Sequence, residues 1–96
     1  MNARIPGHLV LKALPAWTLS EDQTIVRREL VFADFSQAFG FMTEVALYAQ
    51  TREHHPEWTN VFNRVSVALT THDMGGLTGR DIDMGRYIDG IVARHS

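Results

Sequence analysis

The clearest hydrophobic pattern in the chain lies between residues 35 and 52, where apolar side chains recur every three or four positions. This spacing places them along one face of an amphipathic α-helix. Asp34 stands where such a helix would begin and Gln37 follows three residues later, which is the pattern of a capping box. The apolar positions predicted to face inward are Phe35, Ala38, Phe39, Met42, Val45, Ala46 and Ala49.

Three segments outside that helix have patterns typical of β-strands. Residues 16–19 form a short candidate strand, and residues 24–32 alternate between apolar and polar side chains except at Arg28. Residues 58–71 are rich in β-branched and aromatic types but exceed the usual length of one strand. We therefore predict a β-hairpin in this segment, with its turn at Asn63-Arg64.

Two more helices complete the predicted fold. A short helix is expected over residues 8–14, stopped by Pro15, and Thr78 with Asp81 forms a second capping box. The order β-β-α-β-β-α, with the short N-terminal helix before it, predicts an α+β fold. We expect two layers, a four-stranded antiparallel sheet with its helices packed on one face. The last helix should turn Met84, Ile88, Ile91 and Val92 inward.

Composition narrows the class of protein. Residues 1–96 are enough for a single domain, and 45% hydrophobic with 21% charged residues is ordinary for a globular protein. The net charge of −2 offers no basic excess for binding nucleic acid directly. The chain has no cysteine, no signal-peptide pattern and no run of about 20 apolar residues that could cross a membrane. We expect a cytoplasmic protein without membrane contact.

Three histidines are the candidate chemical groups. His54 and His55 follow the long helix, and Pro56 disfavours a helical backbone at His55, so the helix should end here. His72 follows the predicted hairpin. Because both ends of a hairpin meet at the same edge of a sheet, the three imidazoles are predicted to share one corner. Imidazoles exchange protons near neutral pH, so such a cluster can serve acid and base catalysis.

Less specific interpretations of these residues also fit the sequence. Histidines at a helix end can be solvated capping groups, and Asp81 is explained by capping Thr78 alone. Three histidines can hold zinc, but adjacent ligands point apart, and neither CxxC nor HExxH occurs. We therefore expect no metal site. Trp58 is more typical of a core or a pocket wall.

The stretch EHHPEWTNVFNRVSVALTTHDMGGLTGRD resembles the signature of the pterin-4a-carbinolamine dehydratases. Members of that family are small α+β proteins with an HHPEW turn, a hairpin, and a segment of the form T-H-x-x-x-G-L-T/S that leads to Asp. The similarity extends back through FADFSQAFGFMTEVAL and the region of Trp17, and so covers the chain from about residue 15 onward.

The resemblance implies an enzyme that removes water from 4a-hydroxytetrahydropterin and gives quinonoid dihydropterin, in the recycling of tetrahydrobiopterin. It implies no metal and no organic cofactor. The expected active-site histidines are His54, His55 and His72, supported by Asp81 and by Gln50, which stands where members often carry Glu. The residues expected to bind the pterin are His54, His55, Pro56, Trp58, Thr71, His72, Asp73 and Met74.

The resemblance also implies an alternative function and an assembly. Some animal members act as dimerisation cofactors of a homeodomain transcription factor, and related domains have assembly roles, so a non-catalytic cofactor that binds a protein partner is the alternative. Members form dimers, and some form tetramers by helix packing. We expect a homodimer joined at sheet edges, with a homotetramer possible through the long helix. Phe41, Leu47 and Tyr48, which lie off the predicted inward line, would need cover from such packing.

Overall fold

An antiparallel sheet of four strands carries three α-helices, which confirms the predicted α+β class and the order of elements. The computed structural model describes residues 3–95. In chain order the elements are α1 (Gly7–Ala13), β1 (Thr18–Leu19), β2 (Val26–Val31), α2 (Phe35–Arg52), β3 (Glu57–Val61), β4 (Arg64–Leu69), a 3-10 turn (His72–Met74) and α3 (Gly79–Arg94).

The strand order in the sheet is β1-β2-β4-β3, so β1 and β3 are the edges. The predicted hairpin is present, but Arg64 already belongs to β4 and the turn lies one residue earlier, at Phe62-Asn63. Phe62 takes a left-handed backbone conformation, with φ of 52°. The side-chain amide of Asn60 donates to the carbonyl groups of Phe62 and Arg64, at 3.1 and 2.9 Å, and these bonds hold the earlier turn.

Arg28 interrupts the apolar alternation of β2 without changing the strand. It lies on the same side as buried Val26 and Leu30, and its guanidinium pairs with the carboxylate of Asp89 on α3. The same Asp89 oxygen accepts the indole N–H of buried Trp17 at 2.8 Å. The positive charge of Arg28 on the helix-facing side of the sheet is therefore neutralised by Asp89. The pairing of β2 with β4 is unbroken at Arg28.

The start of α2 differs in one detail from the predicted capping box. Asp34 is the N-cap and accepts the backbone N–H of Gln37 at 2.8 Å, as expected. The Gln37 side chain, however, accepts the N–H of Ala33 at 3.0 Å and not that of Asp34. It therefore satisfies a donor one residue before the cap.

The buried face of α2 is rotated from the predicted one. The prediction that Phe35, Phe39 and Ala46 face inward is wrong, since all three are exposed. Phe41, predicted to lie off the inward line, is 1% exposed, and its ring lies 5.0 Å from that of Phe32. The stripe that contains Phe41 also has helical spacing, and it is the one that contacts the buried ring of Phe32. The buried side chains of α2 are Ala38, Phe41, Val45 and Ala49.

The last helix follows its prediction closely. Thr78 and Asp81 form the complete capping box at the start of α3. Met84, Ile88 and Ile91 are buried and Val92 is half-buried. Among residues 3–95, no helix is both long and apolar enough to cross a membrane.

Within residues 3–95, the outer side of α2 and the edges of the sheet are uncovered. The rings of Phe35 and Phe39 contact each other on the outer side of α2, with centroids 5.7 Å apart, and Leu47 is 68% exposed further along. The longer edge strand, β3, has a free side along five residues, whereas β1 has two. Because unpaired edges and large apolar patches favour association, we propose a two-fold homodimer joined at sheet edges, which helix packing can extend to a tetramer.

Light scattering at micromolar concentration tests this assembly. We expect a mass at least twice the 10.9 kDa of one chain. Phe39→Glu should remove any tetramer and keep the dimer, because it changes α2 and leaves the edges intact. Leu9→Glu, an equivalent change on α1, is the control and should alter neither. A wild-type mass of one chain would contradict the dimer, and a monomeric Phe39→Glu variant would contradict the edge interface.

Candidate active site

The carboxylate of Asp81 lies at the centre of the candidate site and is fully buried. Its Oδ1 is 2.8 Å from Nε2 of His54, and its Oδ2 accepts the Thr71 hydroxyl at 2.8 Å and the Thr78 backbone N–H at 2.9 Å. An ionised carboxylate only accepts hydrogen bonds, so Nε2 of His54 must carry the proton in this contact. One side chain thus joins the start of α3 to the segment after α2 and the segment after β4.

Two threonine hydroxyls beside this carboxylate donate their hydrogen bonds in a defined order. Thr71 Oγ1 lies 2.9 Å from Thr78 Oγ1, and either oxygen could donate. Since Thr71 gives its hydrogen to Asp81, Thr78 must donate to Thr71. Thr78 Oγ1 in turn accepts the backbone N–H of Arg80 at 3.2 Å. The start of a helix favours negative charge, which supports a buried carboxylate at this position.

His54 is placed by the way α2 ends. Glu53 adopts a left-handed conformation, with φ of 51°, and its N–H bonds to the carbonyl groups of Ala49 and Gln50. The N–H of His54 also bonds to Ala49, at 3.2 Å, so the chain turns sharply back under the helix. This turn buries His54, which is 6% exposed, and leaves His55 on the surface. The predicted helix end is confirmed.

His72 has a carboxylate partner that the sequence analysis missed. Its Nε2 lies 2.8 Å from Oε2 of Glu57, the first residue of β3, and both side chains are exposed. Glu57 stands opposite Ala68, on the sheet face away from the buried Val67 and Leu69. The register of the hairpin could have predicted this contact. It brings Glu57, at the start of β3, level with Ala68, near the end of β4 and a few residues before His72.

The other predicted site residues occupy different surroundings. Thr71 is buried in contact with Asp81, while Pro56 and Met74 are half-buried and Asp73 is exposed. Trp58 stands opposite Val67 and packs against the core from the edge strand. The Gln50 side chain is exposed at the last turn of α2.

A cleft of about 250 Å³ adjoins His54 between α2 and α3. Of the residues predicted to bind substrate, His54 is the one that lines it. The ring of Tyr48, which lines the cleft, stacks on that of Tyr87 with centroids 3.9 Å apart, and the Arg52 guanidinium lies 5.0 Å from the Tyr48 ring centre. The cleft is lined by Tyr48, Arg52, His54, Arg80, Asp83 and Met84.

Within residues 3–95, no three side chains of His, Cys, Asp or Glu converge as a set of metal ligands. His54 and His72 instead each contact a carboxylate through Nε2. An imidazole whose Nε2–H is held by a carboxylate keeps Nδ1 for proton exchange. The arrangement is that of a small α+β domain in which two histidines are each paired with a carboxylate.

Comparison with known proteins identifies the family. Residues 4–91 match the profile of the family described as pterin 4 alpha carbinolamine dehydratase. The chain belongs to this family, whose name describes a dehydratase, an enzyme of the hydro-lyase class.

Relatives of similar length support the match. A Burkholderia cenocepacia protein is 55% identical over 83 residues, which cover 86% of this chain and 81% of the relative. A Rhodopseudomonas palustris protein is 51% identical over 89 residues, covering 93% and 88%. The names of both assign them provisionally to the pterin-4-alpha-carbinolamine dehydratases.

Two solved structures share the fold. The crystal structure of a Brucella melitensis protein, titled transcriptional coactivator/pterin dehydratase, superposes with a TM-score of 0.84 at 45% identity, covering 88% of this chain and 90% of that one. A pterin dehydratase-like protein described as a RuBisCO assembly factor of the α-carboxysome gives a TM-score of 0.69 at 13% identity, covering 80% and 89%. The second likeness concerns the fold alone.

Asp81→Asn tests the role of the buried carboxylate in stability. An amide places an N–H₂ group where the carboxylate accepts bonds, so at least one buried donor loses its partner. We expect the free energy of unfolding to fall by about 1–3 kcal/mol, measured by urea denaturation.

Asp83→Asn is the matched control, because Asp83 is an exposed carboxylate two residues along the same helix. Its effect should stay within about 0.5 kcal/mol. Equal stability of the two variants would contradict the structural role of Asp81.

Proposed function

We propose that the protein eliminates water from a 4a-hydroxytetrahydropterin and releases the quinonoid dihydropterin. In the cell this step would serve the recycling of tetrahydrobiopterin. The proposal takes its substrate class from the family and its mechanism from the three imidazoles, His54, His55 and His72. The proposed pterin contacts are the HHP turn, Trp58 and the segment Thr71–Met74.

The reaction needs one proton donor and one proton acceptor. An imidazolium gives a proton to the 4a-hydroxyl group, and the C4a–O bond breaks as water leaves. The N5 lone pair forms a double bond to C4a, and a neutral imidazole takes the proton from N5. Imidazoles suit both tasks because they change charge near neutral pH, and each positioned group contributes about 10²–10⁴-fold to the rate.

The observation that carries this proposal is the pairing of His54 with buried Asp81 at 2.8 Å. A carboxylate that accepts from Nε2 fixes the orientation of the ring and stabilises the imidazolium when it forms. His72 has the equivalent contact with Glu57, at 2.8 Å, on the surface. Two imidazoles that each contact a carboxylate through Nε2 are suited to act as a donor and an acceptor.

The buried contact is hard to explain by stability alone. Burying an imidazole against a carboxylate costs desolvation, and an apolar pair of similar volume would often stabilise a core as well or better. His54 also lines the cleft, so a ligand there could reach it. These features support a role in proton transfer over a solvated helix end.

The alternative is a non-catalytic cofactor that binds a protein partner. The Brucella melitensis structure carries both descriptions in its title, and Phe35, Phe39 and Leu47 form an exposed apolar surface here. That surface is also the one proposed for the tetramer, so it does not favour a foreign partner. The dehydratase assay separates the two functions, since a pure binding protein would leave the carbinolamine to dehydrate at its spontaneous rate.

The histidine variants test the catalytic proposal. With freshly generated carbinolamine and a chelator present, because the mechanism uses no metal, we expect His54→Ala and His72→Ala to lower turnover by at least about 10²-fold. His72 is exposed, so its variant should keep the fold, and circular dichroism checks both.

His8→Ala is the control, because His8 is exposed on α1 and takes no part in the site. It should keep wild-type activity. Turnover within a few-fold of wild type in both His54→Ala and His72→Ala would overturn the assignment, as would full loss of wild-type activity on chelation.

A further inference from the structure

Arg80 lies between the two segments that carry the histidines. It is the second residue of α3, directly before Asp81, and its side chain is partly buried. Its Nη2 donates to the backbone carbonyl of Glu53 at 2.7 Å, and its Nη1 lies 3.9 Å from Oδ1 of Asp73. Glu53 directly precedes His54, and Asp73 directly follows His72.

The bond to Glu53 acts at a strained point of the backbone. A residue other than glycine in the left-handed region is unfavourable and persists where its surroundings hold it. The N–H of Glu53 is held by the end of α2, and its carbonyl is held by Arg80. The Glu53 carbonyl belongs to the peptide group that leads into His54. Fixing that plane fixes the direction in which His54 and His55 leave the helix.

Two consecutive residues of α3 therefore hold the histidine segments from different sides. Asp81 binds the His54 ring and the Thr71 hydroxyl in the interior. Arg80 binds the backbone before His54 with a short bond and approaches Asp73 more loosely near the surface. The ion pair with Asp73 is longer, at 3.9 Å against 2.7 Å, so the Glu53 bond is the stronger constraint.

We infer that Arg80 is a positioning residue of the dehydratase site, which sets the direction of the His54-His55 turn through the Glu53 carbonyl. This inference rests on the proposed function for its effect on rate, and on the backbone contact alone for its effect on geometry. It assigns to Arg80 no contact with the reacting atoms. Guanidinium groups often cap helix ends for stability alone, so the test must separate position from stability.

Kinetics of three variants provide the first part of the test. Arg80→Gln should lower kcat by about 10- to 10²-fold with a smaller change in KM, because misplacement by about 1 Å can cost that much. Arg80→Lys keeps a donor for the Glu53 carbonyl and should recover most of the loss. Arg94→Gln is the matched control, since Arg94 also links α3 to α2, through Glu44 at 2.6 Å, at the opposite end of α3 from Arg80. It should keep wild-type kcat.

Imidazole resonances provide the second part, without substrate. In Arg80→Gln the ring signals of His54 and His55 should shift, those of His8 should not, and Arg94→Gln should move neither set. Unchanged His54 and His55 signals, unchanged kcat, or an equal loss in Arg94→Gln would overturn the inference. If the wild-type protein shows no dehydratase activity, the proposed function fails, and the resonances alone decide whether Arg80 positions the turn.

Discussion

The site depends on the hydrogen bonds that the buried carboxylate of Asp81 accepts. It caps α3 through the Thr78 N–H, accepts the hydroxyl of Thr71, and holds the ring of His54. A carboxylate removed from water needs all of these donors, because a buried charge without partners is strongly unfavourable. The same buried group therefore stabilises the start of α3 and holds the segments after α2 and after β4 in place.

This constraint leaves the histidines in different environments. His54 is buried and bound to Asp81, whereas His72 is on the surface with Glu57, and His55 is exposed between them in sequence. A donor and an acceptor that act in one elimination need to differ in charge state at the same pH, and different surroundings are the usual means of achieving this. The ends of α2, β4 and α3 supply these different surroundings.

The sequence predicts the elements of the fold but not the hydrogen-bond partners of the histidines. The capping box of Thr78 and Asp81 can be predicted because its residues are close in sequence. The hydrogen bond between Asp81 and His54 joins residues 27 positions apart and cannot. Glu57 was missed because its role follows from strand register, which needs the turn at the correct residue. The inward face of α2 cannot be predicted from the pattern alone, because Phe39 and Phe41 both fit a helical stripe and the burial of Phe41 in the core decides between them.

The protonation of the His54 ring tests the central claim most directly. If Asp81 is an ionised acceptor at the centre of the site, Nε2 of His54 must carry the proton of the hydrogen bond that joins them. Long-range ¹H–¹⁵N correlation spectra of labelled protein, recorded across neutral pH, distinguish the two nitrogens. The account predicts a protonated Nε2 throughout. An unprotonated Nε2 in the folded protein would contradict it.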